Sequence, residues 1–401
     1  MSHVLTNIGA LEPCDGRGCI PDAALVWDDD GRIVFAGSAS DLAPHYREAT
    51  CLDAKGALII PGLVDCHTHL AFAGWRADEF SERCRGATYA EIAARGGGIA
   101  KTVRLTRAAP EDELLTRARG FLADMLRLGV TTVECKSGYG LSLDDELKLL
   151  RVYRRLRTEF RGTLVSTFLG AHVVPPEFRD DRAAYIRLVC EQMIPAVAGQ
   201  KLASFCDVFV EKGAFTPDEA RQIFAGGSAH GLRPKLHADQ LADGGGATLA
   251  AEVGAISADH LEFASDDGLK AMAQGGVIAV LLPLATLYLR QPPLDARRCI
   301  AAGVPVAVAT DFNPGSAPSF HLPLAMTLAC TMSHLTPALA LRGATTTAAR
   351  AIGREKDVGS LEPGKQADFV LLDAPSVEDW LYHFRPNAVR AVYVRGERVA
   401  P

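Results

Sequence analysis

The central part of the chain alternates short apolar runs with longer segments of helical periodicity. Eight apolar runs have the length of buried strands, and stretches with helical spacing, such as 112–128 and 143–159, separate most of them. The predicted strands are residues 63–67, 131–134, 163–168, 207–210, 234–237, 255–260, 277–282 and 306–311. Eight successive βα units predict a (β/α)8 TIM barrel, an α/β fold whose active site lies at the C-terminal ends of the strands.

Both ends of the chain have a different pattern, with short strands and turns but no long helical segment. The strand-like runs are residues 24–27, 32–35, 57–60, 367–372 and 389–394. Isolated hairpins need a partner surface to bury their apolar faces. We therefore predict one small β-sandwich domain built from residues 1–60 and 360–401, beside a barrel of residues 61–359.

Polar side chains collect at or just beyond the predicted C-terminal ends of the barrel strands. They are His67, His69, Glu134, His172, Glu211, His237, His260 and Asp311. Side chains alternate along a strand, so His67 and His69 project from the same face. His237 and Asp311 follow the fifth and eighth strands, which a closed barrel brings to the same rim. Three imidazoles and a carboxylate suit zinc or iron, so this set predicts a metal site.

The charge and the termini narrow the range of partners. The net charge of −6 gives no overall basic character, which argues against a nucleic-acid partner, although a local arginine can still bind a small anion. The longest apolar stretch, near residues 277–289, contains Pro283 and is too short for a membrane helix. The N-terminus has no signal-peptide pattern, and the ten cysteines are scattered without a Cys-x-x-Cys pair. We expect a cytoplasmic enzyme with reduced thiols and no membrane partner.

Several segments identify a family. The segments Pro-Gly-Leu-Val-Asp-Cys-His-Thr-His at 61–69 and Gly-Ser-Leu-Glu-Pro-Gly-Lys-Gln-Ala-Asp at 359–368 resemble the metal-dependent amidohydrolase superfamily. Within it, the chain resembles the imidazolonepropionase family at 72–76, 86–89, 96–99, 134–140, 168–172, 237–241 and 311–316. The resemblance implies hydrolysis of the cyclic amide bond of 4-imidazolone-5-propanoate to N-formimidoyl-L-glutamate, in histidine degradation. The substrate would be a small anionic heterocycle.

The resemblance also implies roles for individual residues. One divalent or trivalent metal ion, zinc or iron, would be bound by His67, His69, His237 and Asp311. Asp311 would move protons between water and the leaving nitrogen. His260 would polarise the carbonyl or stabilise the oxyanion, and its alternative is a structural role outside the reaction. Arg76 suits the substrate carboxylate because a guanidinium binds carboxylates through two hydrogen bonds. The residues expected to contact the substrate are Arg76, Tyr89, Tyr139, His172, Gln240, Asn313, Gly315 and Ser316. The family further implies a homodimer.

Some positions leave alternatives open. Some relatives have glutamate where this chain has Gln240, and a neutral amide cannot act as a base, so Gln240 would orient the substrate. Lys212 lies near the position where other superfamily members hold a carboxylated lysine between two metals, but we expect an ordinary surface lysine. Asp65 is expected to support the site from beneath. The alternative functions are another cyclic amidohydrolase or deaminase, and a catalytically silent barrel used for binding.

Overall fold

A computed structural model of the chain describes residues 2–88, 91–92, 95–383 and 385–400. The strands are β1 Ser2–Leu11, β2 Ile20–Asp28, β3 Ile33–Ser38, β4 Thr50–Asp53, β5 Leu58–Pro61, β6 Leu63–Thr68, β7 Val130–Lys136, β8 Thr163–Ala171, β9 Phe205–Val210, β10 Arg233–Ala238, β11 Ser257–His260, β12 Ile278–Leu281, β13 Val306–Val308, β14 Phe369–Leu372, β15 Val389–Val394 and β16 Glu397–Ala400. They form two eight-stranded sheets.

Most of the described helices lie between the strands of the sheet formed by β6 to β13. They are α1 Ala77–Cys84, α2 Ile99–Ala108, α3 Glu111–Arg127, α4 Leu143–Glu159, α5 Arg182–Leu188, α6 Ile194–Gly199, α7 Pro217–Ala229, α8 Gly246–Glu252, α9 Asp266–Gly275, α10 Pro283–Leu289, α11 Ala296–Ala302, α12 Leu322–Ser333, α13 Pro337–Gly343, α14 Thr346–Ala351 and α15 Val377–Tyr382. A π-helical turn, Val189–Met193, connects α5 to α6. Within the described part of the chain, no helix has both the length and the apolar character needed to cross a membrane.

Strands β6 to β13 form a parallel sheet in sequential order, and the sheet closes into a barrel. The closing contacts join the end of β6 to the segment after β13. The backbone N–H of Asp311 donates to the carbonyl of His67 at 3.0 Å, and that of His69 donates to Phe312 at 2.8 Å. The predicted (β/α)8 barrel is confirmed, and its closing seam passes through residues of the predicted metal site.

The eighth barrel strand, β13, ends at Val308 and is therefore shorter than the predicted 306–311. Asp311 has a φ of +55°, a left-handed conformation that a regular strand does not accommodate. Below it, the buried Asp65 carboxylate accepts hydrogen bonds from the Thr310 N–H at 3.1 Å and the Thr310 hydroxyl at 2.6 Å. Asp65 therefore supports the site from beneath, as expected from the sequence, by holding the two sides of the seam together.

Strands from both chain termini form the other sheet, in the order β16-β15-β14-β5-β1-β2-β3, with β4 also paired to β1. Trp27 of β2 packs against Phe369 of β14 and Tyr393 of β15, at ring-centroid distances of 5.2 and 6.3 Å. These strands are not neighbours in the sheet, so the sheet folds over onto its own core. Gly62 alone separates this sheet from β6, and a Cβ there would lie 2.2 Å from the Thr131 hydroxyl.

Candidate metal centre

Three histidines and one aspartate meet inside the C-terminal rim of the barrel. His67 lies near the end of β6 and His69 just after it, His237 lies near the end of β10, and Asp311 follows β13. All four are at most 3% exposed. One nitrogen from each histidine can be chosen so that all three lie within 4.8 Å of one another. The Asp311 Oδ1 lies 3.4 Å from the Nε2 atoms of both His67 and His69.

The rings of His67 and His237 are held from behind by buried carboxylates. His67 Nδ1 lies 2.6 Å from Asp259 Oδ2, and His237 Nδ1 lies 3.0 Å from Asp207 Oδ1. The opposite nitrogen, Nε2, is buried without a hydrogen-bond partner in both rings. Carboxylates that hold one ring nitrogen in this way leave the other free to bind a metal. The donor set therefore fits a metal ion.

The electrostatics of the imidazoles differ. Burial lowers the pKa of His69 and His237, which keeps these rings neutral as metal binding requires. Burial also opposes protonation of His67, but the adjacent Asp259 and Asp311 carboxylates raise the pKa of that ring overall. Despite its burial, the Asp311 carboxyl has a pKa well below its usual value because His67 and His69 contact it. The centre thus contains an ionised carboxylate among imidazoles.

A buried lysine connects the carboxylates behind the histidines. Lys136 Nζ lies 2.8 Å from Asp207 Oδ2, 3.0 Å from Glu134 Oε1 and 3.5 Å from Asp259 Oδ2. Burial opposes the ammonium charge, but the three carboxylates outweigh this effect and raise the pKa of Lys136. Thr167 donates a hydrogen bond to the same Glu134 oxygen. Lys136 thereby compensates the negative charge that holds His67 and His237.

The sequence interpretation missed Lys136, Asp207 and Asp259 as site residues. Each is a charged residue of a barrel strand with a fully buried side chain. Buried charges are rare unless they are paired, so the aspartates within the predicted strands 207–210 and 255–260 were the available signal. Lys136 lies two residues beyond the predicted strand 131–134, so no strand pattern pointed to it.

Two further histidines border the centre. His260 ends β11 with a φ of +80°, and its ring lies 5.5 Å from that of His237 and 5.9 Å from that of His67. Burial lowers the pKa of His260 to about 3, so this imidazole is neutral near pH 7. His172 stacks on His69 at 5.3 Å between ring centroids, and its Nδ1 lies 3.0 Å from the Gly138 carbonyl. Both rings therefore lie beside the histidines of the candidate metal centre.

The loop after β7 brings Tyr139 to the same place, with ring centroids 5.7 Å from His69 and 5.4 Å from His172. This loop is held by the buried Glu146 carboxylate. It accepts hydrogen bonds from the N–H groups of Gly138, Gly140 and Leu141, at 2.8 to 3.2 Å. A Cβ on Gly138 would lie 3.0 Å from His172 Nδ1, so glycine permits the close approach of loop and ring.

Arg76 lies against the loop that follows Asp311. Its Nε donates to the Pro314 carbonyl at 3.3 Å, and its side chain is 11% exposed. A Cβ on Gly315 would lie 1.2 Å from Arg76 Nη2, so only glycine leaves room for the guanidinium. Oε2 of Glu79 lies 4.0 Å from Arg76 Nη1. Arg76 is thus fixed near the centre with a cationic head.

The other loop residues mainly support one another. The Asn313 amide nitrogen donates to the Asp311 carbonyl at 2.6 Å and to the Ser316 hydroxyl at 2.8 Å. Its amide oxygen accepts from the N–H groups of Gly315 and Ser316. The Ser316 hydroxyl donates to Asp311 Oδ2 at 3.2 Å. Both side chains therefore hold the loop and orient Asp311.

Comparisons with known proteins identify the family of the chain. The model of the family described as "Amidohydrolase family" matches residues 58–399. The chain belongs to the amidohydrolase family. A protein named imidazolonepropionase from Geobacillus thermodenitrificans is 52% identical over 378 residues, which cover 93% of this chain and 89% of that protein. One of the same name from Cupriavidus necator is 48% identical over 97% of this chain and 94% of that protein.

Solved structures show the same fold at low sequence identity. A triazine hydrolase from Arthobacter aurescens has a TM-score of 0.78 and 16% identity, covering 100% of this chain and 94% of that one. An N-isopropylammelide isopropylaminohydrolase from Burkholderia multivorans has a TM-score of 0.73 and 20% identity, covering 100% and 98%. Members of the amidohydrolase superfamily depend on metals, and the His67, His69 and His237 cluster of this amidohydrolase could bind one.

Three residues that the sequence analysis considered remain to be located in this amidohydrolase: Gln240, Lys212 and Tyr89. Gln240 lies just after β10, is 8% exposed, and accepts a hydrogen bond from Gln291 through its backbone carbonyl. Lys212 is exposed in the loop after β9, as expected for an ordinary surface lysine. Tyr89 lies outside the described residues.

Proposed function

We propose that this amidohydrolase is an imidazolonepropionase, which hydrolyses 4-imidazolone-5-propanoate to N-formimidoyl-L-glutamate. The observation that carries the proposal is about 50% identity, over nearly the whole chain, to proteins of that name from several bacteria. The site supports the proposal independently. It contains a set of possible metal ligands, His67, His69, His237 and Asp311, and the loop beside it holds the guanidinium of Arg76. A silent binding barrel has no need of this complete set.

The substrate carries a propionate group and a ring carbonyl, and the chain offers a partner for each. The Arg76 guanidinium would bind the propionate, since it is nearly buried and held against the Pro314 carbonyl. His172 and Tyr139 would contact the ring. Gln240 would orient the ring by hydrogen bonding, because an amide cannot accept a proton at accessible pH. In this arrangement Gly315 leaves the space that Arg76 occupies, while Ser316 and Asn313 act by holding Asp311.

The cofactor would be a single divalent or trivalent ion, zinc or iron, held by His67, His69, His237 and Asp311. When bound, such an ion lowers the pKa of water and polarises a carbonyl. The Asp311 carboxylate is ionised and would accept a proton from the attacking water. The water oxygen forms a bond to the ring carbonyl carbon, and the adjacent C–N bond breaks. Asp311 would then return the proton to the departing nitrogen.

His260 would act on the oxygen of the carbonyl that is attacked. Its low pKa keeps the imidazole neutral, so it would donate a hydrogen bond from one ring nitrogen as negative charge develops on that oxygen. A neutral donor suits this task because it leaves the proton balance to Asp311. The left-handed backbone at His260 is a strained conformation of the kind that collects at functional sites.

A substrate panel tests the proposal. Purified protein with its metal content measured should hydrolyse imidazolonepropionate, and should leave hydantoins and cytosine essentially unchanged. His237→Ala should abolish turnover and lower the bound metal, since it removes one ligand. His230→Ala is the matched control, because His230 is exposed at the end of α7 and should behave as wild type. Turnover of hydantoins or cytosine in preference to imidazolonepropionate would refute the proposal.

A further inference from the structure

A cavity of about 410 Å³ opens at the end of the barrel opposite the metal centre. It is bordered by the first residues of β8, β9 and β10 and by the segment after α14. Its size lies within the range of about 300–1,000 Å³ typical of small-molecule sites. Five cationic side chains line it, and no aspartate or glutamate is among its described lining residues. These five define the basic pocket: Arg157, Lys201, Arg233, Arg354 and Arg395.

The cations of the basic pocket are poorly compensated by the protein. Four of the five cations form no ion pair with any described residue: Arg157, Lys201, Arg233 and Arg395. Most of the other arginines and lysines of the described chain do form ion pairs. Arg354 pairs with Asp357 at 3.1 Å, yet its Nε is buried without an acceptor. The chain carries a net charge of −6, so this concentration of unpaired positive charge is not a consequence of overall composition.

Arg233 is held in position without any anionic partner. Its guanidinium carbon lies 5.4 Å from the centroid of the Phe205 ring, a cation–π geometry. A Cβ on Gly353 would lie 2.6 Å from Arg233 Nη1, and Gly353 has a φ of +64°. The backbone therefore approaches the guanidinium closely and limits its movement. A cationic head fixed in advance loses little conformational freedom when an anion binds.

Helix ends explain part of this charge but not all of it. Arg157 lies in the last turn of α4 and Lys201 follows the end of α6, where the negative end of the helix dipole attracts cations. Arg233 begins β10 and Arg395 follows β15, so neither is at a helix end. The nearby Asp368 carboxylate accepts a hydrogen bond from the Arg395 N–H, not from its guanidinium. The convergence of all five cations on one cavity calls for an external anion.

We propose that the basic pocket binds a small dianion, either a phosphate ester or a dicarboxylate. Several guanidinium groups around one cavity match both chemistries through paired hydrogen bonds. Binding would relieve the repulsion between the unpaired cations and would weaken as ionic strength rises. This site is at the opposite end of the strands from Arg76 and is independent of the proposed hydrolytic function.

Isothermal titration of the full-length, metal-loaded protein with inorganic phosphate and with succinate tests the pocket. At low ionic strength we expect saturable binding of at least one of the two. Arg233→Gln and Arg395→Gln should each raise the Kd at least roughly tenfold, by removing one charged hydrogen-bonding partner. Arg187→Gln is the matched control, because Arg187 is exposed on α5 without an ion pair and should leave the Kd unchanged.

Two further comparisons separate the pocket from other causes. Arg76→Ala should leave the Kd unchanged, whereas binding at the catalytic centre would be lost. Binding of phosphate alone identifies a phosphate ester, and binding of succinate alone a dicarboxylate. Absence of saturable binding, or equal Kd values in Arg233→Gln, Arg395→Gln and Arg187→Gln, would overturn the proposal.

Discussion

The two ends of the barrel differ in how their charged side chains are compensated. Near the C-terminal rim several buried charges are paired with one another, as Lys136 is with Asp207 and Asp259. At the N-terminal end, Arg233 and Arg395 face a cavity without an anionic partner. A buried charge is costly unless it is compensated, whereas a cation at an open cavity keeps part of its hydration. The rim is therefore compensated by the protein itself, and the opposite end has its positive charge available for a ligand.

The backbone does not repeat this contrast. At the rim, His260 and Asp311 are non-glycine residues with positive φ, a conformation that costs on the order of 1–3 kcal/mol each. Lys201 and Arg395 of the basic pocket have positive φ as well, at +52° and +49°. The rim is therefore distinguished by the burial of its charges, which the surrounding hydrogen bonds and ion pairs must compensate. Removing one of those supports should affect the rim more than any single change at the other end.

The largest effect is expected from Lys136→Met. The change leaves Glu134, Asp207 and Asp259 buried without their cation, and breaking a buried pair in this way costs about 3–5 kcal/mol. Because Asp207 and Asp259 hold His237 and His67, the bound metal and the turnover of imidazolonepropionate should both be lost. Urea unfolding, metal content and activity measure the three consequences.

Lys212→Met provides the matched control for this change, since Lys212 is exposed and has no part in the network. It should keep wild-type stability, metal content and activity. A Lys136→Met protein that retained full metal content and turnover would show that Lys136 does not compensate the centre. The contrast between the two ends of the barrel would then lose its basis.

Arg76→Ala should have the next largest effect, confined to catalysis. Loss of a hydrogen-bonded charge on the substrate carboxylate costs about 1.5–3 kcal/mol, so kcat/KM should fall roughly 10- to 150-fold. The metal should be retained, because Arg76 contacts the loop at Pro314 and none of the four proposed ligands. Steady-state kinetics with imidazolonepropionate, beside metal analysis, measures both. Arg85→Ala, an exposed arginine after α1, is the control; equal losses in the two variants would exclude carboxylate binding by Arg76.

The sequence predicted the architecture better than the supports of the site. The helix at residues 143–159 and the eight barrel strands were readable from hydrophobic spacing, because burial imposes a period on each element separately. The pairing of Lys136 with Asp207 and Asp259 was not readable, since it depends on the register between β7, β9 and β11.

The hydrogen bonds and the backbone conformation of the segment after β13 could not be predicted from the sequence either. Asn313 forms hydrogen bonds within the loop that no strand or helix pattern indicates, and its predicted substrate contact stays a prediction. The eighth strand ends at Val308, and Asp311 beyond it has a left-handed conformation; hydrophobic spacing reports neither feature. A motif can thus place a side chain at the rim without revealing whether it faces the ligand or its neighbours.

Asp368→Asn should have the smallest effect, on stability alone, and sharpens the description of the N-terminal end. Burial raises the pKa of Asp368 from its usual 3.8 to about 6, even though Arg395 and Arg32 lie near enough to lower it. The folded protein therefore binds the proton of the Asp368 carboxyl more tightly than the unfolded chain does. This binding stabilises the folded state at low pH, and the stabilisation is lost as the pH rises from about 4 to above 6. Asparagine keeps an acceptor for the Arg395 N–H without the buried charge.

The stability advantage of Asp368→Asn over wild type should accordingly grow by on the order of 1 kcal/mol between pH 5 and pH 8. Urea unfolding at the two pH values, with metal content held equal, measures it, and activity should not change. Asp30→Asn, an exposed aspartate in the turn between β2 and β3, should show no such growth. A constant difference across this range would mean that the arginines of the N-terminal end already compensate Asp368. The cations there would then be less available to an external anion than the basic pocket requires.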